Sequence, residues 1–309
     1  MTGFVLRRTL RGLVTLWLVT LAVFMLLRLT GNPIDFLARP EMTIADRVRL
    51  KKELGFDKPI YVQYLKFNQK IFKGDFGESL VFAERGALDM FLTRLPGTVQ
   101  LVGAGLIFSM ILGLIFGVVS ATRPDSIFDR IGKVLAITGQ AMPAFWVGLL
   151  FILLFTIYLG WFPSAGGLDR VGIKGLFMPA VSLGWFLVAA NTRLVRSTML
   201  SVLDSEYIKM VRAKGMPPHI VIWKHALRNA SLPVITLFAL NFAQLVGGAL
   251  VTEAIFSWPG IGRLLVESVY ARDYTVVQTV VFFSAAIIVV VNIFVDLMYG
   301  WLDPRVRLA

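Results

Sequence analysis

The 309-residue chain has no cysteine and two histidines, His219 and His225, six positions apart in a basic stretch. Disulfides, thiol catalysis and cysteine metal sites are thereby excluded. The histidine spacing is poor for metal ligation, and both residues read as solvated loop histidines. No Gly-x4-Gly-Lys-Ser/Thr phosphate-binding loop occurs, so any ATP hydrolysis belongs to another chain. The apolar segments carry no Ser–His–Asp set and no cluster of metal-ligating side chains. No catalytic residue and no metal site is therefore expected. Charge is scarce as well: 16% of residues are charged, against about 25% in soluble proteins.

What fills the chain is apolar residues, 57% of the total, gathered in blocks of 15 or more. With their flanks such blocks reach the roughly 20 residues that a helix needs to cross a bilayer, which specifies an all-α polytopic membrane protein. The net charge of +12 does not point to nucleic acid. Its Lys and Arg residues sit mostly between apolar blocks, where anionic lipid and the positive-inside rule account for them. Arg7, Arg8 and Arg11 before Leu13–Leu27 look like a signal sequence, yet Arg28-Leu29-Thr30-Gly31-Asn32-Pro33 offers no small-residue cleavage site, so an uncleaved first span is expected.

Six spans are read at about 9–29, 97–120, 131–159, 177–199, 230–255 and 276–300. Basic groups then fall on one face. These are Arg7, Arg8 and Arg11; Arg123, Arg130 and Lys133; Arg193 through Arg228; and Arg305 with Arg307. Both termini are accordingly expected in the cytoplasm. The chain divides into the N-terminus and first span (1–29), an extracytoplasmic insertion (30–96) and a core of five further spans (97–309) with a charged loop at 200–229. The insertion is nearly charge-balanced, 11 basic to 9 acidic residues. Thr43-Ile44-Ala45-Asp46 reads as a capping box opening a helix that Gly55 ends. Pro59 opens a second, with Ile60, Tyr64, Phe67 and Ile71 on one face and Gly74 after it. Two short helices bury little alone and are expected to pack on the membrane part. Pro143 interrupts the third apolar run, Gly113 and Gly117 form a GxxxG pair, and Pro96 and Pro233 are placed at span starts.

The charged loop is the most specific feature. Asp204 or Ser205 can cap a short helix with Leu203, Tyr207, Met210 and Val211 on one apolar face, while Glu206, Lys209 and Arg212 project elsewhere. Gly215 supplies a left-handed stop and Pro217-Pro218 prevents continuation. A second short helix from about His219, with Ile222, Trp223, Ala226 and Leu227, leads into the fifth span. This is a stiff strut bent at Gly215, and an ordinary interfacial helix has the same pattern.

Val211-Arg212-Ala213-Lys214-Gly215, His225-Ala226-Leu227-Arg228-Asn229-Ala230 and Leu232-Pro233 together resemble the cytoplasmic coupling loop of binding-protein-dependent ABC importer permeases, in the dipeptide/oligopeptide/nickel group. Val211 departs from the alanine usual there. Further similarity lies at Gly74-Asp75-Phe76-Gly77-Glu78-Ser79, Arg94-Leu95-Pro96-Gly97-Thr98, Phe256-Ser257-Trp258-Pro259-Gly260-Ile261-Gly262, Arg272-Asp273-Tyr274 and Leu302-Asp303-Pro304-Arg305-Val306-Arg307. The resemblance runs nearly end to end. It implies a type I importer-like permease of the bacterial inner membrane. It also implies a homologous second permease, two ATPase subunits carrying ATP and Mg, and a periplasmic or lipid-anchored solute-binding protein. Glu206, Tyr207, Lys209, Met210, Arg212, Ala213, Lys214 and Gly215 would form the ATPase-contacting coupling helix. The cargo implied is di- or oligopeptides, with nickel chelates, opines, glutathione and sugars as variations.

Polar residues within spans are costly in lipid and normally face protein or water. Asn241 and Gln244, read as sharing a face, Glu253 near the outer end of the fifth span, and Asn292 with Asp296 in the sixth are the pathway candidates. Interhelical hydrogen bonding is the equally open alternative. Arg193 and Arg196 read as lipid-headgroup anchors. A self-sufficient secondary transporter or channel would show paired broken helices or midplane charges, and only Pro143 suggests a break. An intramembrane enzyme lacks paired catalytic groups.

Because no native cysteine interferes, single cysteines at Lys174 and Ser205 test the six-span reading. An impermeant thiol reagent should label Lys174→Cys from outside and Ser205→Cys only from inside. Labelling of both from one side removes the reading.

Overall fold

A computed structural model describes residues 2–29, 43–53, 55–79, 81–82 and 85–302. The terminal motif from Asp303 onward, with Arg305 and Arg307, lies outside the described residues, as does the Asp296 side chain. Among the described residues thirteen α-helices follow one another: α1 (Thr2–Leu29), α2 (Ile44–Glu53), α3 (Ile60–Phe72), α4 (Ala87–Thr122), α5 (Ile127–Ala141), α6 (Ala144–Phe151), α7 (Leu168–Val171), α8 (Ile173–Leu203), α9 (Glu206–Ala213), α10 (Pro218–Ile220), α11 (Leu227–Ile255), α12 (Ile261–Tyr270) and α13 (Tyr274–Leu302). Wider π-helical turns extend α6 over Ile152–Tyr158 and join α10 to α11 over Val221–Ala226. Among the described residues a lone Glu78–Gly86 bridge is the whole β content.

Among the described residues four helices are long and apolar enough to cross a membrane: 6–29 within α1, α4, α8, and 274–295 within α13. Two bent pairs meet the same test when joined, Ile127–Gly139 with Ala144–Tyr158 at 107° and Pro233–Phe242 with Gln244–Ile255 at 44°, giving up to six if each pair is one span. The third expected span is thus broken rather than continuous. Pro143 sits in extended conformation between α5 and α6 (φ −60°, ψ 141°), where its ring and missing N–H cannot continue α5. Two other expectations shift. The second span begins at Ala87, not 97, and α11 at Leu227, so Pro96 and Pro233 lie inside helices. Membrane helices tolerate this because the surrounding protein re-satisfies the freed carbonyls.

The chain forms two compact units, 1–96 with 260–293, and 97–259 with 294–309. This division differs from the split at 29 and 96, since 260–293 joins the N-terminal part. In the first unit, the Thr43–Asp46 capping box forms with both reciprocal bonds: the Asp46 amide donates to Thr43 Oγ1 at 3.2 Å and the Thr43 amide to Asp46 Oδ2 at 3.1 Å. Gly55 (φ +72°) ends α2 and Gly74 (φ +73°) follows α3, as their positions predict. No residue of α3 is fully buried. It rests on the end of α1, with the Tyr64 ring 5.2 Å and the Phe67 ring 5.9 Å from that of Phe24. A separate core joins Ala87 and Phe91 to Ile261, Leu264, Val276 and Val280.

In the second unit α8 is the central helix, and glycine lets α4 approach it closely. A Cβ on Gly184 would fall 2.5 Å from the Gly105 carbonyl oxygen, one on Gly113 2.4 Å from Asn191 Cβ, and one on Gly117 2.5 Å from Val195 Cβ. Numbers rise together along both helices, so α4 and α8 run in the same direction. Gly132 lies by Thr192, Gly139 by Ala189 and Gly148 by Ser182, so α5 and α6 run opposite to α8. Both halves of the bent pair therefore pack antiparallel along the same stretch of α8.

Gly117→Val should overpack this contact, at a cost on the order of 1–3 kcal/mol, because its Cβ would also meet the Thr192 carbonyl at 3.0 Å. Gly103, with open space around it, is the control. Thermal unfolding of the purified protein in detergent should drop for Gly117→Val and hold for Gly103→Val.

Candidate functional site: the strut and the polar contacts behind it

Helix α9 opens after Ser205, whose extended backbone (φ −68°, ψ 148°) suits an N-cap. The Ser205 hydroxyl, however, donates back to the Val202 carbonyl at 2.6 Å and makes no side-chain cap. Gly215 closes the turn at φ +75°, with its amide on the Arg212 carbonyl at 2.9 Å. Nothing lies within 4 Å of where its Cβ would be, so the conformation alone requires glycine here. The buried face includes Val211, as expected, but takes in Ile208 in place of Tyr207 and Met210. Ile208 and Val211 are 0% and 8% exposed, whereas Tyr207 and Met210 are 46% and 59% exposed. Ile208 and Val211 enter a core with Val118 and Ala121 of α4, Val195 and Met199 of α8, and Val221, Ala226, Ala230 and Val234 beyond the strut. Ile208 and Val211, three apart, share the side turned to that core, while Tyr207 and Met210, also three apart, share the outer side.

The opposite side is open. Glu206, Tyr207, Lys209, Met210, Arg212, Ala213, Lys214 and Gly215 are all exposed. Lys209 pairs with Glu206 at 2.9 Å, an exposed contact of small energetic weight. Tyr207 reaches across to His225, its hydroxyl 2.7 Å from Nδ1, and ties α9 to the π-helical turn. His225 is therefore half-buried and bonded rather than a solvated loop histidine. The second helical stretch runs from Pro218 without interruption into α11.

The candidate pathway residues separate. Asn241 is 3% exposed and donates through Nδ2 to Asn191 Oδ1 at 2.8 Å. Asn191, fully buried, donates in turn to the Ser109 carbonyl at 3.3 Å, so one polar chain stitches α11, α8 and α4. Gln244 is exposed, and α11 bends by 44° between the two. They do not share a face. Glu253 is fully buried and accepts from Thr98 Oγ1 at 2.6 Å. Asn292 is exposed on α13. Arg196 is not a free headgroup anchor: its Nε lies 3.3 Å from Asp129 Oδ1, and Lys133 Nζ lies 2.8 Å from Oδ2 of the same carboxylate. Asp129 is fully buried, where a charge is sustained only by such partners. The Asp125 amide and the Ser126 hydroxyl complete its setting at the start of α5.

Neither Asp129 nor Asn191 carried a motif signal. A polar residue amid apolar ones is visible in sequence, but its partner is not. The motifs do meet in pairs. Trp258 donates its indole N–H to the Gly97 carbonyl at 2.7 Å, and Thr98 beside it holds Glu253. The Ser79 hydroxyl donates to Asp273, while Ser79 Oγ accepts from the Phe82 amide at 2.7 Å. Ser257 and Arg272 take left-handed backbone (φ 47° and 54°), uncommon outside glycine.

The chain matches the family model described as "Binding-protein-dependent transport system inner membrane component" over residues 113–308, and the corresponding N-terminal model over 1–102. It is 38% identical over 316 residues to the oligopeptide transport system permease protein AppB of Bacillus subtilis, covering 99% of this chain and 100% of that one. The di/tripeptide transport system permease protein DppB of Pseudomonas aeruginosa is 37% identical over 338 residues, with 99% of each covered. The glutathione transport system permease protein GsiC of Salmonella paratyphi A is 35% identical, again with 99% of each covered. The inward-facing MetNI methionine ABC transporter superposes on 70% of this chain and 97% of its own with a TM-score of 0.57 at 19% identity, a likeness of fold.

Replacing Gly215 isolates the backbone requirement, since no neighbour stands in the way. Gly215→Val should cost on the order of 1–2 kcal/mol locally. The strut should then be displaced, with transport lost, while the protein still inserts and purifies at wild-type yield. Wild-type uptake by this variant would count against the left-handed stop as a requirement.

Proposed function

The chain belongs to the binding-protein-dependent inner-membrane transport components, a family of multi-pass membrane permeases rather than enzymes, and from that premise we propose that α9 is the element through which partner ATPases drive it. The observation that carries the reading is the two-sidedness of α9. Its outer face offers Tyr207, Met210, Arg212, Ala213 and Lys214 for docking, and its inner face places Ile208 and Val211 in a core shared by three spanning helices. Close-packed interiors shift as discrete arrangements rather than yielding gradually, so displacement of α9 moves the ends of α4, α8 and α11 together.

The machine proposed is an importer of di- or oligopeptides, the cargo named for two of the relatives above, with the tripeptide glutathione within the same chemical class. ATP and Mg act on two ATPase subunits, a second permease completes the pathway, and a solute-binding protein delivers cargo from outside. Both termini and α9 face the cytoplasm. Access alternates as the ATPases close and open. Asn241, which stitches the bundle, and the exposed Gln244 and Asn292 divide the roles once considered together: the first positions helices, the other two are free to border a path.

Crosslinking tests the docking face. Ala213→Cys should form a disulfide or bismaleimide bridge to a cysteine in the partner ATPase's groove, and nucleotide should change the yield. Ile208→Cys, facing the core, should not. Equal crosslinking at both positions, or none at either, would refute the proposed orientation of α9.

A further inference from the structure

Within the first unit, the end of α1, the α2–α3 pair, the Gly74–Ser79 motif and the start of α13 border a solvent-open cavity of about 800 Å3. Its wall is basic and aromatic. Arg28, Lys52, Lys58, Lys66 and Lys70 line it, opposed by Asp75 and Glu78. Asp75 is engaged with Lys70 at 3.7 Å, and among the described residues no carboxylate pairs with Lys52, Lys58 or Lys66. Lys58 and Lys66 crowd each other. Contact with Lys58, with Lys70 nearby, holds the Lys66 ammonium below the usual lysine range, and Asp57 offsets this only in part. Like charges gathered this way repel until a counter-charge enters.

Arg28 supplies the second half of the case. Its guanidinium is held over the Phe24 and Phe56 rings at 4.6 and 4.8 Å, and Nε donates to Gln63 Oε1 at 2.9 Å. Nη1 is buried with no hydrogen-bond partner among the described residues. A planar fork fixed by aromatic stacking suits an oxyanion, which would reach the buried Nη1 once the side chains covering it shift. A buried unmet donor also has a cost that such a ligand removes.

We propose that this cavity binds a phosphate-bearing anion through Arg28, Lys58 and Lys66. It lies at the ends of two membrane helices, α1 at Arg28 and α13 at Tyr274, where the nearest abundant phosphates belong to lipid headgroups. Basic pockets beside membrane helices hold anionic headgroups in this way. Inorganic phosphate presents the same chemistry from solution. A role for this pocket is independent of the reading of α9.

Native mass spectrometry of the delipidated full-length protein, titrated with cardiolipin, phosphatidylglycerol, phosphatidylethanolamine or inorganic phosphate, separates the sources. Wild type should bind the anionic lipids saturably and above phosphatidylethanolamine. Lys58→Gln and Lys66→Gln should each weaken this about fivefold, with thermal unfolding unchanged because both ammoniums are solvent-facing. Arg28→Lys, keeping charge but losing the fork, should weaken it as well. Phosphate binding lost in the same variants, without lipid preference, supports the site with a soluble ligand. Binding of every probe unaffected by the three substitutions overturns the proposal. So does a defect confined to affinity for a solute-binding protein, which would make the occupant a protein carboxylate.

Discussion

Everything in the second unit depends on how closely α4 and α8 approach. Gly105, Gly113, Gly117 and Gly184 remove the side chains that would otherwise separate the two helices, and the backbones meet where a Cβ would clash. In lipid, where apolar burial gives little drive to associate, such contact is the main attractive term. Once the pair is locked in parallel, Asn191 comes within reach of both Ser109 and Asn241. The return of the chain through α5 and α6 follows from the same geometry.

Several buried polar groups of the interior are met by partners remote in sequence. Asn191–Asn241, Glu253–Thr98, Asp129 with Arg196 and Lys133, Trp258 with Gly97, and Ser79–Asp273 each join segments remote in sequence. These contacts are expensive to break, since removal of one member leaves the other stranded. They hold each unit to one arrangement while leaving the strut's outer face open. The second unit thus combines polar stitches inside, an exposed, charged face of α9 outside, and π-helical turns at Val221–Ala226 and Ile152–Tyr158 where the helical ladder is already irregular.

Local signals were legible from residues alone. The Thr43–Asp46 box, the stops at Gly55, Gly74 and Gly215, the break at Pro143 and the tight GxxxG pair each depend on one or two neighbouring residues. The spacing of charges and apolar residues identified a strut ending at Gly215, and its motif placed it among importer permeases. Its buried face was read correctly at Val211 and missed Ile208, because Tyr207 and Met210 are as apolar by type as Ile208.

Sequence by itself determined the class of protein, since long apolar runs without cysteine or nucleotide motifs admit a multi-pass helical membrane chain and little else. It also determined where helices cap and stop, because φ preference and missing N–H groups are properties of single residues. Tertiary structure alone decided the partners: that Arg196 neutralises Asp129 instead of meeting lipid, that Asn241 and Gln244 part company, and that Ile208 rather than Tyr207 faces inward. The reason is that a side chain's partner is set by where other helices lie. Residues 50 to 194 positions apart, as in Asn191–Asn241 and Ser79–Asp273, carry no mark of one another until the chain has folded.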